Sequence, residues 1–217
     1  MVDTHRTKSN YMQRALTPND ILNKKYKLFE FDGEWFETFD KPERTGIWFI
    51  WGNSGNGKTR FTMQLAKYLT RFGNVIYDSL EEGLSHTVRR AYEAVGMNEV
   101  GNKILIVEES IEDLCIRLDK QRSADIVFID SFQHSQLTYK EYLIFRKKYP
   151  RKLIIFISQA EGAHPEGRPA KRVMFDAKLK IWVEGFKAFS KGRYIGKKEH
   201  YVIWEEGAYI YDRKFNK

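Results

Sequence analysis

The chain has 217 residues, 42% of them hydrophobic, which is enough to bury one substantial core. Its 37 Lys and Arg against 29 Asp and Glu leave a net charge of +8, a balance that attracts polyanions such as nucleic acid or acidic surfaces. A lone cysteine, Cys115, excludes an intramolecular disulfide; Met1 to Arg14 lacks the apolar run of a signal peptide, and no stretch matches the roughly 18 apolar residues of a membrane span, so a cytoplasmic location without membrane contact is expected.

Residues 1 to 45 read as an N-terminal leader. Its first sixteen positions are polar and expected to be loose, Thr17-Pro18-Asn19-Asp20 marks a helix start, and Lys27 to Phe39 alternates aromatic and polar residues around Asp32-Gly33, predicting a hairpin over one edge of the core. Residues 46 to 217 read as one domain. Short apolar runs at Ile47-Trp51, Val75-Tyr77, Ile104-Val107, Ile126-Ile129 and Leu153-Ile157 suit strands buried on both faces. Between them, apolar residues recur at helical spacing: Phe61, Leu65, Leu69, Phe72; then Leu84, Val88, Tyr92, Val95; then Ile111, Leu114, Cys115, Leu118. This alternation predicts an α/β fold with a mostly parallel central sheet between helices. After Glu161 comes a Gly-, Pro- and charge-rich loop. The segments Leu179-Val183, Tyr194-Ile195, Tyr201-Trp204 and Ala208-Tyr211 are then spaced like antiparallel strands that continue the sheet as a meander.

The first buried run leads directly into Gly52-Asn53-Ser54-Gly55-Asn56-Gly57-Lys58-Thr59, followed by Arg60 and an amphipathic helix. The pattern G-x-x-x-x-G-K-[ST] lets backbone N–H groups form a nest around phosphates at a positive helix end. Lys58 then meets the outer phosphates and the Thr59 hydroxyl ligates Mg2+, so ATP and Mg2+ are the expected cofactors. Magnesium also needs a carboxylate at another strand tip, and Asp130, closing Ile126-Ile129, is the candidate. Hydrolysis needs a group that activates water. Glu81 is the first choice, with Glu82 and Asp78 as alternatives; both glutamates could instead complement the dipole of the next helix from its first turn.

These elements, in this order from Thr45 to Asp212, resemble the RecA-like ATPases, particularly the branch of DnaB-type helicases, RadA recombination proteins and KaiC. Ser79-Leu80-Glu81-Glu82 resembles the family's water-activating segment, and Ile157-Ser158-Gln159 its polar sensor of the terminal phosphate. The resemblance implies that Ala160 to Arg172 is a mobile DNA-contacting loop, that Asp176-Ala177-Lys178-Leu179 starts the next strand, and that a cation near Gly196-Lys197-Lys198 reaches a neighbouring subunit's ATP site. Lys197-Lys198-Glu199 lacks the family's arginine, for which Arg193 is a substitute. Homo-oligomers, rings or filaments, with ATP at subunit interfaces are implied, as is slow turnover by an isolated chain. The small size resembles the minimal recombinases of phages and mobile elements.

From His164 to His200, ten Lys or Arg face four acids, with Phe186, Phe189 and Tyr194 interleaved. Basic grooves with aromatic platforms hold single strands, so Arg168, Lys171, Arg172, Lys187 and Lys191 are candidate DNA contacts; a solvated hairpin whose aromatics face the sheet is the alternative. His5, His86, His134, His164 and His200 are scattered and make no metal cluster. The combined expectation is an ATPase acting on single-stranded DNA in recombination or replication. Its rivals are a KaiC-like regulator of protein partners, a small-molecule kinase and a nucleotide-gated clamp.

Overall fold

The computed structural model describes residues 14–83 and 85–215, the last without its side chain; the expectations for residues 1–13 and for Leu84 lie outside it. The strand before the phosphate loop, β1 (Gly46–Gly52), is buried along nearly its whole length. Its side chains alternate between faces, as the pleat demands: Trp48 and Ile50 join one apolar cluster with Phe61 and Tyr77, while Ile47, Phe49 and Trp51 join a second with Phe156 and Trp182. A strand with two buried faces must sit between two helical layers, and the neighbours follow that logic.

The other parallel strands are β2 (Val75–Ser79), β3 (Ile104–Val107), β4 (Ile126–Asp130), β5 (Leu153–Glu161) and β7 (Leu179–Glu184). A two-residue β6 (His164–Pro165) pairs antiparallel with the end of β5. Two short antiparallel strands, β8 (Lys187–Ser190) and β9 (His200–Val202), complete the order β3-β2-β4-β5-β1-β7-β8-β9. The central position of β1, with β5 between it and β4, decides the geometry of the site.

The helices are α1 (Pro18–Leu22), α2 (Gly33–Phe39), α3 (Lys58–Leu69), α4 (His86–Val95), α5 (Ile111–Leu118), α6 (Tyr139–Lys148), α7 (Arg168–Asp176) and α8 (Glu205–Phe215). Thr17 caps α1 with a complete capping box, as its sequence predicts. Cys115 lies half-buried on α5.

Two expectations need correction. The Lys27–Phe39 hairpin does not form. Asp32-Gly33 starts α2, and strand-like pairing in this region is an isolated bridge between Leu28 and Glu43. The reason is packing: Phe29 and Phe31 sink beside Trp48, and one helical turn brings Trp35 and Phe39 together against Phe61. The leader from Phe29 on is therefore part of the core. In the C-terminal region Tyr194-Ile195 lies outside the strands and Ala208-Tyr211 lies inside α8. Glu205 and Glu206 in the first turn and Arg213 and Lys214 in the last suit a helix dipole, which a four-residue apolar run cannot reveal.

Candidate functional site: a phosphate loop at the strand tips

All six parallel strands deliver their C-terminal ends to one edge of the sheet, the place where open α/β sheets bind ligands. Register then decides which side chains meet. Gly52 at the end of β1 stands opposite Gln159 on β5, and Ser79 at the end of β2 stands opposite Asp130 on β4. Beyond β2, the Glu81 amide donates to the Asp130 carbonyl at 3.0 Å, which draws the glutamate turn against the tip of β4.

The loop from Gly52 to Lys58 leaves β1 and enters α3 through Gly57, whose φ of +91° suits a residue without a side chain. A methyl group there would also strike the Phe186 ring, 2.8 Å from the ideal Cβ position. The loop is bracketed from both sides. Asn53 donates to the Gly162 carbonyl and Trp51 to that of Ala163, while Asn56 accepts from the Gly185 amide at 2.8 Å.

Inside this frame Lys58 is buried, and its ammonium donates to Gln159 Oε1 at 3.3 Å. Gln159 Nε2 in turn donates to Glu81 Oε1 at 2.6 Å. The adjacent glutamate takes a different place: Glu82 accepts from the Thr59 hydroxyl at 3.3 Å and from Thr87 at 3.2 Å. Helix α4 begins only at His86, so neither glutamate occupies its first turn. Asp78 stands apart. It is buried on β2, accepts from the Glu109 amide, and its carboxyl is pushed up to about 7, chiefly by burial.

Asp130 receives a 2.6 Å hydrogen bond from the Tyr77 hydroxyl. Burial raises its pKa to about 6; Tyr77 and Lys58 act against that rise, and Glu81 and Glu82 reinforce it. Positive charge at this spot therefore has a ready partner. Its carboxylate and the Thr59 hydroxyl are hard oxygen donors of the kind Mg2+ uses when phosphates and water complete its shell, so the residues fit that ion. Among the described residues no group of three or more His, Cys, Asp or Glu could hold a metal by itself.

A cavity of about 380 Å³ unites Lys58, Thr59, Arg60, Glu81, Asp130 and Gln159. A larger one, about 610 Å³, opens beside α5 and α6 but contains none of these groups. Sequence reasoning missed one wall of the smaller cavity, Phe186. This residue sits in the β7–β8 turn with φ +58°, donates its amide to the Asn56 carbonyl, and meets Trp204 edge-on with ring centroids 5.2 Å apart. The Arg60 guanidinium lies 5.4 Å from the Trp204 ring. The sequence singles out Phe186 only as one aromatic among basic residues, with no signal that it meets the phosphate loop.

The cations proposed for other roles lie outside that cavity. Arg168, Lys171 and Arg172 are on α7, so the segment 160–172 is not a single loop: it contains the end of β5, β6 and the start of α7. Asp176 closes α7 instead of opening a strand. Arg172 stacks over Tyr139, Lys191 over Phe189, and Lys187 pairs with Asp212 at 2.6 Å. Among the described residues, exposed Arg193 and Lys197 have no ion-pair partner, whereas Lys198 pairs with Glu34. The interleaved aromatics do not make one platform: Phe186 faces the phosphate loop and Tyr194 donates to Glu43.

Strand order and the loop after β1 give an α/β fold with a mostly parallel central sheet in the RecA-like arrangement, and solved structures share it. One similar structure is the flagellar accessory protein FlaH from Methanocaldococcus jannaschii, with 14% identity, a TM-score of 0.60, and coverage of 81% of this chain and 93% of that one. Another is the KaiC-like protein PH0186 from Pyrococcus horikoshii OT3, with 20% identity, a TM-score of 0.55, and coverage of 78% and 88%. No protein-family model matches the sequence, and comparison with curated proteins found no match. No helix among the described residues is long and apolar enough to cross a membrane.

Proposed function

We propose that this chain binds ATP with Mg2+ and hydrolyses it, and that the observation carrying this reading is the hydrogen-bonded series Lys58–Gln159–Glu81 at the mouth of the phosphate loop. Phosphoryl transfer asks a protein for position and charge more than for covalent chemistry. Lys58 supplies charge to the outer phosphates, Glu81 orients and deprotonates water, and Gln159 touches both, placing it to respond to the terminal phosphate. Asp130 and Thr59 hold Mg2+, which neutralises phosphate charge when bound.

The cations lining the cavity are Lys58 and Arg60, and Arg60 is engaged with Trp204. Charge developing in the transition state then calls for a cation from a second copy of the chain, and exposed Arg193 and Lys197 are candidates for it. Phosphate release should require Mg2+, and its rate per chain should rise with protein concentration. A purified chain that binds no ATP analogue overturns the reading.

Single-stranded DNA is the polyanion this surface suits. Phe175 on α7 is 70% exposed, Lys180 lies 5.8 Å from its ring, and Arg168, Lys171 and Arg172 share the helix. Exposed aromatic and cationic side chains together hold unstacked bases and backbone. Gln133 links this region to the site, because it donates to the Glu166 carbonyl and accepts from the Gln159 amide. A labelled oligonucleotide should shift at low salt and be released steeply as salt rises. No shift at low salt would transfer the output to a protein partner.

A further inference from the structure

The cavity's metal side has a support that the phosphate-loop motif does not explain. Tyr77 lies on β2, fully buried, with its ring stacked on Phe128 at 5.3 Å. A strand buried on both faces is ordinarily served by apolar residues, and a phenol placed there must find partners for its hydroxyl. Tyr77 has two: Asp130 Oδ2 at 2.6 Å and Thr62 Oγ1 at 2.9 Å. Thr62 is itself fully buried on α3, and its hydroxyl lies 2.9 Å from the Thr59 carbonyl oxygen. Tyr77 gives its one proton to Asp130, so the single Thr62 proton is shared between the Tyr77 oxygen and the Thr59 carbonyl, and this pair of hydroxyls joins Asp130 on β4, through β2, to the first turn of α3, where Thr59 stands.

We propose that Tyr77 is a positioning residue that ties Asp130 to the turn bearing Thr59, so that the carboxylate and the hydroxyl are preorganised to share one divalent cation beside bound phosphates. This rests on reading the cavity as a Mg2+–ATP site. Groups that orient metal ligands commonly change metal affinity by roughly 10- to 100-fold when removed, although they never touch the ion. Thr62 is the second link of the same device, and its contribution depends on Tyr77.

The test is a titration of a fluorescent ATP analogue at a series of free Mg2+ concentrations and in EDTA, using the full chain, Tyr77→Phe, Thr62→Val and the double variant. Tyr77→Phe keeps the ring on Phe128 and removes only the hydroxyl. Each single change should raise half-saturating Mg2+ roughly tenfold, with analogue affinity in EDTA within about twofold of the parent. The double variant should be no worse than the weaker single, because both changes break one line. Half-saturating Mg2+ unchanged within about twofold would overturn the proposal, as would additive effects or a lowered melting temperature with no Mg2+ effect. Where Tyr77→Phe does not fold, Thr62→Val alone decides between the same outcomes. A parent chain that binds no analogue in any condition overturns the site itself along with the proposal, a result distinct from normal binding with an unshifted Mg2+ requirement.

Discussion

The two walls of the small cavity are built by different means. The phosphate wall comes from the tips of β1, β2, β4 and β5, where parallel register sets Gly52 beside Gln159 and Ser79 beside Asp130. Its polar groups hold one another: Lys58 to Gln159, Gln159 to Glu81, Tyr77 to Asp130. The other wall is Phe186, which a turn between two antiparallel strands hangs over Gly57, backed by Trp204 and with Arg60 nearby. The first wall is charged and tied into a buried sheet, suited to phosphate chemistry. The second is aromatic and borne by the sheet's antiparallel margin, suited to the face of a base. The comparison teaches that one cavity can be lined by a motif on one side and by assembled packing on another.

That contrast can be broken by substitution. The largest effect is expected from Glu81→Gln, which keeps the hydrogen bond with Gln159 possible but removes the base: turnover should fall by about 10²- to 10⁴-fold while analogue binding persists. Turnover that survives in Glu81→Gln and vanishes in Glu82→Gln would move the role to Glu82, the carboxylate beside Thr59. Next comes Phe186→Ala. Loss of an aromatic face beneath a base costs about 1–3 kcal/mol, so ATP affinity should fall roughly tenfold while that of inorganic triphosphate stays unchanged. Lys58→Ala should weaken both ligands, and equal losses for both in Phe186→Ala would erase the distinction between the walls.

The smallest effect on function is expected at Asp78, which stands outside the cavity and reports on stability. Its carboxyl is near 7 in the folded chain against an ordinary value of 3.8, so between those limits the folded state binds a proton that the unfolded state has lost. The stabilising contribution is full below about pH 3.8 and disappears as pH rises to about 7, a change on the order of 3–4 kcal/mol for this group. Asp78→Asn cannot ionise. Its melting temperature should exceed the parent's by roughly 10 °C at pH 8 and approach it at pH 4; an equal gap at both values would refute the buried-carboxyl account.

Much of this was legible in the chain. The five runs between Ile47 and Ile157 became strands at or near their predicted limits; four are buried as a run of apolar residues demands, whereas β3 lies at the sheet edge and leaves Leu105 exposed. Gly52 to Thr59 announces its own conformation, since the nest requires glycine where φ turns positive, as at Gly57. Legibility failed where short apolar runs fit two periods. Trp35-Phe36 and Ala208-Tyr211 read as strands but are helical, and the outcome came from what they pack on: α2 against α3 and the end of the sheet, α8 under the Phe186 turn, where a methyl group on Gly207 would strike the Phe186 ring.

The amino-acid order alone determined the alternating α/β layout and the conformation of the 52–59 loop, because burial on two faces and positive φ are local demands that local composition answers. Tertiary structure decided which strand lay between β1 and β4, and with it the meeting of Gln159 with Lys58 and Glu81, the separate places of Glu81 and Glu82, and the partnership of Tyr77 with Asp130 and Thr62. Those contacts join residues far apart in the chain. They depend on sheet order and register, which arise only when every strand competes for the same core.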